Sequence, residues 1–86
     1  MVVREFKAQI PDDFAEKWFE ATAADEHISI ADAKAYYAGD EFSKFAERIS
    51  GKVVTITENE YFVGRTDYFE KIDNNFVMHP EVFIEI

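Results

Sequence analysis

The sequence predicts an α+β fold: a two-layer domain with an N-terminal strand, two to three helices, and then three to four antiparallel strands. Three observations predict it. Residues 2–10 alternate apolar with polar, residues 12–51 place apolar side chains at helical spacing, and alternation returns from Lys52 onward. Eighty-six residues make a single domain, residues 1–86, because a second would be too small to hold a core. Such a chain buries roughly 60% of its unfolded surface. Nine Phe, four Tyr and one Trp supply large buried areas in a chain that has no cysteine to form a disulfide.

In "VVREFKAQI" Phe6, Ala8 and Ile10 share one strand face and Glu5, Lys7 and Gln9 the other, with Arg4 the misfit. Pro11 ends the strand, since proline has no N–H for a ladder. Asp12 is the expected N-cap of the first helix, with Asp13 and Glu16 in a first turn where negative charge suits the helix dipole. At about 100° per residue, Phe14, Ala15, Trp18, Phe19, Ala21 and Thr22 take one side, and Asp13, Glu16, Lys17 and Glu20 the other. In "HISIADAKAYYAG" Ser29 and Asp32 form a capping-box-like start, and Gly39 is either a stop or a kink into the next helix. Its alanines surround Tyr36 and Tyr37, which predicts a helix closely packed between neighbours. "DEFSKFAERISG" starts at Asp40 as N-cap, carries Phe42, Phe45, Ala46 and Ile49 on one face, and closes at Gly51.

Beyond Lys52, "VVTIT" and "EYFVGR" predict a hairpin turning around Glu58, Asn59 and Glu60. "DYFEKI" and "FVM" follow, joined by Asp73, Asn74 and Asn75, residues that tolerate tight turns. After His79 and Pro80, "EVFIEI" alternates Val82, Ile84 and Ile86 against Glu81, Phe83 and Glu85. The helices are expected on one sheet face.

Eighteen acids against nine bases give a net charge of −9. That sign opposes direct nucleic-acid binding, which needs Lys and Arg against phosphates, and equally opposes anionic membrane surfaces. No apolar run reaches the length of a membrane span. Arg4, Glu5 and Lys7 break any leader-peptide core, so the chain reads as cytoplasmic.

Catalytic and cofactor chemistry finds no footing. There is no Cys nucleophile, and no serine sits in a glycine-flanked elbow; Ser29 reads as a cap, and Ser43 and Ser50 as exposed helix positions. Gly39, Gly51 and Gly64 are too scattered to cradle a phosphate. Asp25, Glu26 and His27 are adjacent but diverge on a helix, and His79 precedes Pro80 in a bend, so no metal site is expected. A calcium loop from Asp73 fails, with Met78 at its sixth position and Ile84 at its twelfth. The aromatics of "EYFVGRTDYF" lack the basic groove that a base-stacking platform requires and read as core. A non-enzymatic protein without metal or cofactor is the expectation.

The charge itself is uneven. Residues 11–32 hold seven acids and only Lys17 in opposition, whereas the third helix mixes Asp40, Glu41 and Glu47 with Lys44 and Arg48. Helix starts account for Asp12, Asp13 and Asp32, but not for the imbalance, which costs stability through repulsion. The expected partner-binding residues are Asp13, Glu16, Glu20, Asp25 and Glu26, facing a basic protein surface, such as that of a nucleic-acid-binding enzyme. In size, charge and lack of cysteine the chain resembles the small acidic antagonists that phages and mobile elements direct against restriction or CRISPR systems. That resemblance implies an inhibitor that mimics DNA. The alternative is an interaction module or homo-oligomer using an apolar face or the C-terminal strand, for which Glu81, Phe83 and Glu85 are the secondary candidates.

Overall fold

The computed structural model describes residues 2–86. In chain order it has β1 (Val2–Gln9), α1 (Phe14–Glu26), α2 (Ile30–Tyr37), α3 (Asp40–Ile49), β2 (Val53–Phe62), β3 (Arg65–Glu70), a 3₁₀ turn at Pro80–Val82, and β4 (Ile84–Glu85). The strands form an antiparallel sheet in the order β3-β2-β1-β4. This is the α+β arrangement that the alternation, helical spacing and renewed alternation predict.

The register explains the layering. Phe6 stands opposite Ile56 and Ala8 opposite Val54, so the apolar face of β1 continues across β2. The helices cover that face: Ala8, Ile10 and Ile56 join Phe14, Trp18, Phe42, Phe45 and Ile49 in one core. On the opposite face Val3, Glu5, Lys7, Gln9, Val53 and Ile84 remain exposed. Trp18 is the hub, its ring centroid 4.7 Å from Phe42, 5.4 Å from Tyr37 and 5.5 Å from Phe19. Its indole N–H donates to the Val77 carbonyl at 2.8 Å, so burial leaves no polar atom stranded.

Several boundaries differ from expectation. Asp13, not Asp12, is the N-cap of α1, and its side chain makes no cap hydrogen bond. Gly39 caps α3 in place of Asp40, and α2 and α3 are separate helices. Ser29 does cap α2, accepting from the Asp32 N–H at 3.0 Å. That helix is not enclosed by neighbours: Ala33 alone is buried in it, and Tyr36 is 76% exposed. Alanine-rich composition suits a helix for its propensity as much as for close packing, and here the former applies.

The hairpin does not turn at Glu58–Glu60. β2 runs through those residues to Phe62, and the chain reverses at Val63 and Gly64, the latter at φ +86°. Glu58 is acceptable inside the strand because Arg4, directly opposite, hydrogen-bonds it at 3.3 Å. "FVM" forms no strand, only a single bridge between Val77 and Phe69. The C-terminal alternation is also displaced. The 3₁₀ turn at Pro80–Val82 changes the phase, so Val82 is buried and Phe83 half-buried, while Ile84 and Ile86 are each 72% exposed.

Candidate functional site

Helix α1 is divided as its sequence dictates. Phe14, Trp18, Phe19, Thr22 and Ala23 face the core, and Asp13, Glu16 and Glu20 project outward. Two lysines stand near this outer face. Lys17 reaches Asp13 at 3.8 Å, and Lys34 reaches Glu16 at 3.7 Å from α2. Both pairs are exposed and worth about 0–1 kcal/mol, so they temper the field without closing the surface. No cation of the described residues lies within 4 Å of Glu20 or Asp25.

Asp25 and Glu26 leave this outer face. They sit in the last turn and diverge by about 100° around the axis. Asp25 joins Glu20, Lys17, His79 and Glu81 around an open groove of about 530 Å³ between α1 and the 3₁₀ turn. Glu26 turns towards α2, where it accepts a hydrogen bond from the Tyr37 hydroxyl at 2.9 Å. That bond, reinforced by burial and the Glu26 charge, raises the Tyr37 phenol above its ordinary pKa. The five acids therefore form an outer stripe of three and two diverging flanks.

Between the flanks lies a second cavity of about 380 Å³, lined by Trp18, Tyr37, Phe76 and His79, with Asp25 and Glu26 contributing to its walls. Trp18 lies 6.1 Å from Phe76 at 89° and 5.9 Å from His79 at 53°. His79 Nε2 shares a 2.8 Å hydrogen bond with the Thr22 hydroxyl, which fixes the imidazole against α1. Spacing could not announce this enclosure, since its rings come from α1, α2 and an irregular segment far along the chain. The "HP" bend was its only trace.

Glu81, Phe83 and Glu85 do not share an open face. Phe83 packs 5.8 Å from Phe6 and 5.5 Å from Tyr68, closing one end of the core. Glu85 is held by Arg4 through two hydrogen bonds of 2.9 Å. Glu81 alone of the three faces the acidic groove. Among the described residues, no three of His, Cys, Asp and Glu are gathered to hold a metal ion, and no helix is long and apolar enough to cross a membrane.

Charge is segregated in space. Residues 12–49, which contain all three helices, carry ten acids and four bases, a net −6. The other residues carry eight acids and five bases, a net −3. Three of these bases, Lys7, Lys52 and Lys71, line one cavity beside the sheet together with Arg48 of α3 and its partner Glu70.

No known family, curated protein or solved structure matches the chain. Its own surface is what speaks for its role.

Proposed function

We propose that the protein is a small acidic inhibitor or regulator that occupies a basic surface of a partner protein, in the manner of a DNA mimic covering a nucleic-acid-binding site. One observation carries this reading. Residues 11–32 hold −6 of the total −9, and of their seven acids Asp13, Glu16 and Glu20 are exposed on the outer side of α1, with Asp25 beside Glu20 at the groove. Carboxylates on a helix meet Lys and Arg with charge-assisted bonds, as phosphates do.

The test is capture of partners by the wild-type chain and by Glu16→Lys/Glu20→Lys at low and high salt. Both positions are exposed, so the variant should keep its circular dichroism spectrum and its cooperative unfolding. A nucleic-acid-processing partner that elutes with salt, and binds the variant roughly tenfold or more weakly, is the expected result. Capture that resists salt and survives the reversal overturns it.

One observation favours a different contact. The β2–β3 hairpin extends past β1, and at its tip Tyr61, Phe62 and Val63 are 55%, 63% and 94% exposed. An apolar tip of this kind suits an interaction module or self-association, and the salt-resistant outcome above would point to it.

A further inference from the structure

The aromatic cavity behind Glu26 brings rings and carboxylates together. Its floor is the buried Trp18 ring, and Tyr37, Phe76 and His79 stand around it. Aromatic faces carry negative potential and attract Lys, Arg or alkylammonium groups placed over them. Asp25 and Glu26 add two carboxylates, and they belong to the last turn of α1, the negative end of its dipole. Among the described residues no Lys or Arg lines this cavity, whereas the neighbouring groove contains Lys17. Rings, carboxylates and helix end thus favour one kind of occupant, and no Lys or Arg of the described residues fills the place.

We infer that this cavity receives a single basic side chain, lysine or arginine, from the protein partner. The inference rests on the acidic-surface reading and deepens it. The outer acids Asp13, Glu16 and Glu20 attract a basic surface over a distance, and the cavity supplies a recessed contact where a partner cation sheds part of its water. The Tyr37–Glu26 hydrogen bond holds wall and carboxylate together, so the cavity is preorganised. The indole N–H is already committed to Val77 and Trp18 is buried, so the half-buried rings of Tyr37 and Phe76 are the ones a cation reaches.

The test uses the full chain and short blocked peptides, Gly-Gly-Arg-Gly-Gly and Gly-Gly-Lys-Gly-Gly, at fixed ionic strength. Counterparts with citrulline and acetyl-lysine match them in size but carry no charge. Trp18, the single tryptophan, reports through its fluorescence and its indole N–H resonance. The cationic peptides should move both signals and bind about three- to fivefold tighter than the neutral ones. Glu26→Gln, which keeps a hydrogen-bond acceptor for Tyr37, and Tyr37→Ala should each weaken binding, while Glu16→Lys/Glu20→Lys should leave the indole response in place.

Equal response to neutral peptides overturns the inference, as does binding insensitive to Glu26→Gln. If the cationic peptides instead shift only the outer residues of α1 and leave the indole unmoved, the cavity assignment falls and the acidic-surface reading stands. If no cationic peptide binds anywhere, the cavity assignment falls, and the salt-dependent capture of partners still decides the acidic-surface reading.

Discussion

Arg4 shows how a single residue is explained by neighbours the sequence hides. It lies on the apolar side of β1, where alternation asks for a hydrophobic residue. Its guanidinium spans Glu58 on β2 and Glu85 on β4 and rests 4.3 Å over the Phe6 ring. The carboxylates and the ring let a charge close the edge of the core. Hydrogen bonding by Arg4, with its charge adding, holds the Glu85 carboxyl below its ordinary 4.5. A depressed folded pKa contributes stability that is present above the unfolded value and disappears as pH falls through the folded one. Arg4→Met should therefore flatten the acid side of the stability–pH curve below about 4.5, with little change in shape near neutrality. Urea unfolding at a series of pH values checks this; an unchanged acid limb in the variant would mean that the pair contributes nothing to folding.

At the scale of elements, the junction of α3 and β2 is a tightly constrained turn. Gly51 adopts φ +74°, its N–H donates to the Pro11 carbonyl at 3.2 Å, and an added Cβ would crowd the Asp12 carboxylate. The carboxylate can swing away, so the backbone conformation sets the cost. Gly51→Ala should destabilise by about 1–2 kcal/mol, and Gly51→Asn by less, because Asn tolerates the left-handed region better. Urea unfolding compares the two, and equal loss would put the cost in crowding instead. This turn was legible, since a glycine following the periodic Phe42–Ile49 run is a standard helix stop. The α1 and α3 core faces were legible for the same reason. The β2–β3 reversal was not. Glu58, Asn59 and Glu60 make a polar break around a turn-prone asparagine, yet Arg4 satisfies Glu58 from a strand more than fifty residues earlier. Phe83 was misplaced because a 3₁₀ turn of three residues shifts the phase of alternation, and nothing local marks it except Pro80. The exposed acids of α1 were legible because solvation needs no distant partner. The aromatic cavity was not, because it exists only where Trp18, Tyr37 and Phe76 meet.

At the scale of the molecule, the uneven charge has an energetic consequence that is separable from any partner. The protein measures 33 × 29 × 19 Å. At 0.01 M salt the screening length is about 30 Å, so every carboxylate feels every other; at 0.15 M it is about 8 Å, and repulsion is confined to near neighbours. Folding gathers nine excess negative charges into this volume, and salt should relieve the cost. The melting temperature should rise by about 2–5 °C from 0.01 to 0.15 M sodium chloride, since each 1 kcal/mol moves a domain of this size by about 4–8 °C. Glu16→Lys/Glu20→Lys exchanges two negative for two positive charges and takes the net from −9 to −5. It should melt higher than wild type at low salt and gain less from added salt. Such a result would establish that the acidic α1 surface is maintained against folding stability, as a surface selected for binding would be. A melting temperature indifferent to both salt and reversal would show that these carboxylates cost nothing, and the acidic surface would then need no explanation beyond solvation.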